Sequence, residues 1–223
     1  MSFQVEAYPG ELWPRAAATV VEESLPRSGT VVLTGGSAAE HVFPLLTEQD
    51  AQWRSISIYF SDERTVPPDN PNSNFGLINE TLLRHIEPES VHRIQGEVDP
   101  PEAALAYENV IAPAVEKGFD LVLLGMGADG HFAALFPRSP ALEPAGRLCL
   151  PVQRPDGLTG ITLTPPALIG ARRILLLVSG SSKAEAVRRA VAGDESPDAC
   201  PVRLLAGHPD ARFVLDEGAA SLL

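Results

Sequence analysis

The chain has 223 residues, 44% of them hydrophobic and 21% charged. That is apolar material for one sizeable core, so the expectation is a single domain over residues 1–223. No run of about 18 apolar residues exists, which argues against a membrane-spanning helix. With 17 basic against 29 acidic residues the net charge is −12, which argues against a nucleic-acid partner. The same field opposes any anionic ligand, so a site for one must gather its own cations and backbone N–H groups.

The start, Met1 to Glu6, lacks the basic flank and apolar run of a secretory leader. Cys149 and Cys200 have neither metal-ligand nor redox spacing and read as two buried thiols in a reducing cytosol. The expected location is therefore cytoplasmic.

In chain order, four short apolar runs each lead into a small or polar loop. Val31-Val32-Leu33 leads into Thr34-Gly35-Gly36-Ser37, and Ile56 to Phe60 into Ser61-Asp62-Glu63-Arg64. Leu121 to Leu124 leads into Gly125-Met126-Gly127-Ala128-Asp129-Gly130-His131, and Ile174 to Val178 into Ser179-Gly180-Ser181-Ser182-Lys183. Continuous apolar runs suit strands covered on both faces. Helical patterns between them, notably Glu102 to Glu116 and Lys183 to Val191, predict an α/β fold with a mostly parallel sheet between two layers of helices. Ligands bind outside the carboxyl ends of such strands, and all four loops fall at that edge.

Each loop has a bland and a functional reading. Gly35 and Gly36 would let backbone approach an anion at the start of a helix, yet Ser37 and Glu40 also have the spacing of a capping box. The stretch falls short of a nucleophile elbow, because Ala39 replaces the last glycine. Gly125 to Gly130 matches GxGxxG, but the next strand, Leu148 to Val152, lacks the acidic residue a dinucleotide site needs. A nicotinamide cofactor is rejected.

His131 follows the glycine-rich loop and is expected to open a helix, where the macrodipole would keep its imidazole neutral and able to act as a general base. Asp129 would orient the ring. The alternative is that His131 merely caps or packs the helix. His41, His85, His92 and His208 lack this setting and are read as structural. Asp62-Glu63-Arg64 reads either as a solvated charge run in a loop or as a source of a phosphate-clamping guanidinium in Arg64. Lys183 at a helix opening conflicts with the dipole, which suggests an anion nearby. No zinc-like spacing occurs, and no metal is expected.

Two segments are similar to those of a known family. Asp62-Glu63-Arg64-Thr65-Val66-Pro67, with Asp69 and Asn72-Ser73-Asn74-Phe75, resembles the DERxVPxDxxxSN segment of 6-phosphogluconolactonases. Gly125 to Pro137 resembles their GMGxDGHxASLFP segment, and Thr34 to Ser37, Ile161 to Thr164 and Gly180 to Lys183 follow in the family's order. The resemblance implies a modified Rossmann-like three-layer sandwich that hydrolyses 6-phospho-D-glucono-1,5-lactone without metal or organic cofactor. It implies that His131 activates water, and that Arg64, Lys183 and the Gly35-Gly36-Ser37 loop hold the phosphate. The matched positions Asp62, Asn74 and Gly127 complete the implied substrate-binding set. The expected partner is the sugar-phosphate lactone alone, taken up by a monomer. Two departures stand out: Gly160 occupies a position where family members often carry arginine, and Arg212-Phe213 one where they often carry tryptophan.

Glucosamine-6-phosphate deaminases share the Gly-Gly loop and the Asp-Gly-His motif, but use a glutamate five residues past the histidine. Phe136 stands there, and phenylalanine moves no protons. A sugar-phosphate sensor on the same fold is the other rival; the expected mark of that class is an added DNA-binding element, which this acidic chain does not suggest.

Overall fold

A computed structural model of the protein describes residues 3–47 and 53–223; Met1 and Ser2, at the start read above for a leader, lie outside that range. Among the described residues ten strands are formed: β1 (Gln4–Tyr8), β2 (Gly29–Leu33), β3 (Ile56–Phe60), β4 (Asp62–Arg64), β5 (Ser90–Val91), β6 (Leu121–Leu124), β7 (Cys149–Gln153), β8 (Thr159–Leu163), β9 (Ile174–Val178) and β10 (Ala211–Asp216). The α-helices are α1 (Trp13–Ser24), α2 (Ser37–His41), α3 (Phe43–Leu46), α4 (Asn74–Thr81), α5 (Pro100–Lys117), α6 (Pro165–Ile169), α7 (Ala184–Ala192) and α8 (Glu217–Ala220).

Seven strands form one sheet in the order β1-β10-β9-β6-β2-β3-β5, with every pairing parallel. Helices flank it, giving the three-layer sandwich. Every residue of β6 and β9 is buried, as expected of interior parallel strands. The edge strand β1, by contrast, is largely exposed. Strand order turns between β2 and β6: the chain runs outward from β2 through β3 to β5 on one side, and from β6 through β9 to β10 on the other, where β10 pairs with the first strand, β1. That is the switch point where open α/β sheets leave a crevice. The four loops singled out in the sequence follow the four central strands β3, β2, β6 and β9.

The long helix α5 starts at Pro100, where a missing N–H costs nothing, and ends before Gly118 at φ +76°. Its buried face carries Ala103, Tyr107, Ile111 and Ala114. The Tyr107 hydroxyl accepts from the N–H of Phe60 (2.8 Å) and donates to the Phe60 carbonyl (3.1 Å), pinning the end of β3.

The structure corrects four local expectations. Asp62, Glu63 and Arg64 are not a solvated loop. They form β4, the first strand of a three-stranded antiparallel sheet β4-β8-β7 that the sequence pattern did not announce, and Asp62 and Glu63 are buried. The Leu148 to Val152 segment, treated above as the next strand of a dinucleotide fold, mostly enters this second sheet as β7. The residues after His131 do not form a helix. Gly130 (φ +87°), Ala133 (φ +49°) and Arg138 (φ +61°) lie outside helical backbone space, and Phe132 and Leu135 close a short bridge instead. The capping box also fails. Gly36, at φ +71°, takes the N-cap position, so Ser37 is already inside α2 and makes no capping bond.

Candidate active site

Residues from all four loops meet in one cleft of roughly 190 Å³. Its lining includes Gly35, Gly36 and Ser37 after β2, Asp62 and Arg64 of β4, Asn74 of α4, Gly127 and His131 after β6, and Lys183 after β9. Thus nine of the ten residues picked out in the sequence line it, and the tenth, Asp129, lies directly behind His131. The other histidines do not reach it: His92 stacks on Tyr59 (4.7 Å between centroids), and His208 Nε2 meets the Ala171 carbonyl at 2.7 Å.

The geometry around His131 is set by contact rather than by a helix. Its Nδ1 lies 2.6 Å from Oδ1 of Asp129, and the same oxygen accepts the His131 backbone N–H at 3.1 Å. The carboxylate therefore fixes the proton on Nδ1 and leaves the Nε2 lone pair free. Burial alone would raise the Asp129 carboxyl. The hydrogen bond and charge of His131, with backbone N–H groups, outweigh it and hold the carboxyl at about 2. Phe136 packs against the imidazole with centroids 4.5 Å apart.

Gly127 makes this arrangement possible. A Cβ there would lie 2.1 Å from His131 Nδ1 and 2.6 Å from Asp129 Oδ1. The Gly127 N–H donates to the His131 carbonyl (2.9 Å), so it closes the loop and is not offered to a ligand. Ala134 then donates to Thr162 Oγ1 (3.2 Å), docking the histidine loop on β8.

The opposite side is organised by a residue that the sequence reading passed over. Glu63, buried, accepts four hydrogen bonds: from the N–H groups of Arg64, Asn74 and Phe75 at 2.7 Å each, and from Ser73 Oγ at 3.0 Å. Burial pushes its carboxyl up, while these bonds pull it down. A carboxylate at the first turn of α4 also complements that helix's dipole. The signal available in the sequence was the position of Glu63 between two singled-out neighbours, ahead of a Ser-Asn helix start.

Glu63 thereby positions Asn74. The Asn74 amide donates to the Asp62 carbonyl (2.9 Å) and Oδ2 (3.1 Å), and its oxygen accepts from Arg64 Nη1. Gly35 leaves room for that amide, since a Cβ would come within 2.0 Å of Asn74 Oδ1. Asp62 is further held by Ser61 Oγ (2.8 Å). Among the described residues, neither Arg64 nor Lys183 has a carboxylate at ion-pair distance. Nor does any protein acceptor meet the N–H groups of Gly35 or Gly36. Two cations and unpaired backbone donors in a protein of net charge −12 make a local anion site. Arg154 also enters the cleft, a residue absent from the sequence-based set. Among the described residues, no group of three or more His, Cys, Asp or Glu side chains is arranged to hold a metal, and no helix is long and apolar enough to cross a membrane.

The family described as "Glucosamine-6-phosphate isomerases/6-phosphogluconolactonase" matches residues 11–214. The chain belongs to this family. Among its relatives, the 6-phosphogluconolactonase of Synechocystis sp. is 35% identical over 204 residues, covering 87% of this chain and 85% of that one. The solved 6-phosphogluconolactonase from Trypanosoma cruzi superposes with a TM-score of 0.87 at 28% identity, over all of this chain and 98% of the other. A monomeric glucosamine-6-phosphate deaminase superposes almost as well, with a TM-score of 0.84 at 24% identity and 99% and 100% coverage. That likeness shows the shared fold; the family's own description names both isomerases and a lactonase.

Two outcomes test this geometry. Gly127→Ala should lower kcat by about tenfold to a hundredfold, because it displaces the imidazole by an ångström or more; wild-type turnover in steady-state assays would show that the ring tolerates the move. The Asp129 carboxyl lies below its ordinary 3.8, so its contribution to stability is complete above that pH and fades as pH falls toward about 2. The Tm difference between wild type and Asp129→Asn should accordingly close over that window, and a gap constant with pH would contradict the pairing.

Proposed function

We propose that this protein hydrolyses 6-phospho-D-glucono-1,5-lactone to 6-phosphogluconate, with His131 as general base. The observation that carries the reading is the coexistence, in one cleft, of an imidazole oriented by Asp129 with an anion site built from Lys183, Arg64 and the Gly35–Ser37 loop. Relatives named 6-phosphogluconolactonase, matched over most of the chain, support it.

In this mechanism the phosphate is held at the cationic end, which fixes the lactone carbonyl near His131 before any chemistry occurs. His131 Nε2 takes a proton from water as the water oxygen bonds to C1, and the carbonyl oxygen becomes an oxyanion. The C1–ring oxygen bond then breaks, and the imidazolium returns its proton to the departing ring oxygen. The new carboxylic acid ionises in solution. Asp129 stays ionised throughout and stabilises the transient imidazolium. Asp62 and Asn74 act mainly by holding Arg64 and the rim of the cleft in place.

The deaminase reading is disfavoured by Phe136. Its ring packs against His131 at the position where that chemistry uses a glutamate, and Asp62, the carboxylate in the cleft lining, is committed to Ser61 and Asn74. Our reading carries with it a cytoplasmic, monomeric, single-domain enzyme that needs neither metal nor organic cofactor. The two buried free thiols, Cys149 and Cys200, accord with a reducing compartment.

His131→Ala should lower kcat by about two to four orders of magnitude while 6-phosphogluconate still binds. Turnover within a few-fold of wild type, after correction for spontaneous lactone decay, would remove His131 from the mechanism. Lys183→Ala should raise KM by about tenfold or more with a smaller change in kcat; an unchanged KM for the phosphorylated lactone would exclude Lys183 from the phosphate site.

A further inference from the structure

The sequence presents Gly160 where the family resemblance leads one to expect an arginine, and the structure shows what uses the space. Gly160 sits in β8, in register with Arg64 of β4 and Val152 of β7. Arg154 reaches back across it from the β7–β8 turn, which is closed by the Arg154 N–H to the Leu158 carbonyl (3.0 Å) and by Gly157 at φ +84°. A Cβ on residue 160 would lie 3.1 Å from Arg154 Cδ and 3.4 Å from Cγ. The stem of Arg154 therefore covers the bare α-carbon, and its side chain is only 10% exposed. The guanidinium lies over the Phe136 ring, 5.4 Å from its centroid, and Phe136 in turn packs against His131.

Arg154 lines the cleft alongside Arg64 and Lys183, and it also lines the larger groove on the other side of Phe136. Its carboxylate partner is Asp156, 3.1 Å away and half-exposed. Burial pushes the Asp156 carboxyl up, but the hydrogen bonds from Arg154 and the Leu158 N–H, with the charges of Arg154 and Arg64, together hold it below its ordinary value, so Asp156 lies in the field of both arginines. Asp156, half-exposed, is the open side of this pair, and a doubly charged ligand that meets a guanidinium in its planar fork competes with it for Arg154.

We propose that Arg154 is a substrate-binding residue which, with Arg64, grips the phosphate of the sugar-phosphate lactone. In this chain the clamp's second guanidinium comes from the β7–β8 turn, and Gly160 is the residue that admits it. Any side chain at 160 competes with the Arg154 stem for one site, so cations at 154 and 160 are alternatives. This rests on the lactonase reading above.

The test compares wild type, Arg154→Met and the double variant Arg154→Ala/Gly160→Arg. Methionine keeps an apolar stem over Gly160 and Phe136 while deleting the charge, so it separates anion binding from packing. KM for the phosphorylated lactone should rise about ten- to a hundredfold in Arg154→Met, with kcat within a few-fold. The calorimetric Kd for 6-phosphogluconate should weaken in parallel, while unphosphorylated gluconate shows no such change. The double variant should recover most of the lost affinity. KM and Kd in Arg154→Met within threefold of wild type would overturn the assignment, as would equal losses for the phosphorylated and unphosphorylated ligands. If wild type failed to accelerate lactone decay, the lactonase reading would fall, and the 6-phosphogluconate titration would still decide whether Arg154 binds the phosphorylated ligand.

Discussion

The site depends on a single short contact, Nδ1 of His131 against Oδ1 of Asp129 at 2.6 Å, passing over the bare α-carbon of Gly127. This contact sets the orientation of the imidazole, and an ionised Asp129 as acceptor favours the proton on Nδ1. It needs no helix. The loop is held by its own backbone bonds, Gly127 to His131 and Gly130 to Gly127, and by Thr162 of the antiparallel sheet. In the proposed mechanism, a general base placed in this way is oriented before substrate arrives, so orientation is not lost entropy at the chemical step.

The second requirement is electrostatic. A chain of net charge −12 must bind an anion, and the carboxylates nearest Arg64 and Lys183 are occupied by backbone groups and neutral side chains, while Arg154, the third cation of the cleft, is paired with Asp156. Glu63 is occupied by N–H groups and a serine, Asp62 by Ser61 and Asn74, and Asp216 by the N–H of Gly180, whose loop carries Lys183. Among the described residues, Arg64 and Lys183 are consequently left without ion-pair partners. The acidic residues build the walls, and the positive charge is left facing inward.

Much of this was legible in the sequence because apolar strands followed by small or polar loops have one favourable arrangement, a parallel sheet with its loops at one edge. The residue types in those loops then pointed to an imidazole and an anion site, and the structure brings them into one cleft. The antiparallel sheet was harder to read. Asp62-Glu63-Arg64 carries no strand pattern, and it becomes a strand only because β8 supplies a partner and Glu63 finds four donors. The setting of His131 was misread for a related reason: Ala133 and Arg138 adopt positive φ under tertiary constraint, which no local propensity foretells. Arg154 was missed because its link to the cleft runs through an absence, the missing side chain at Gly160.

The central claim concerns one nitrogen, and it can be read directly. Long-range ¹H–¹⁵N spectra of the free enzyme, recorded at a pH where it turns over, distinguish the two tautomers of a neutral imidazole. The account predicts that His131 carries its proton on Nδ1, with Nε2 bare toward the cleft. A proton on Nε2, with Nδ1 bare against Asp129, would contradict it.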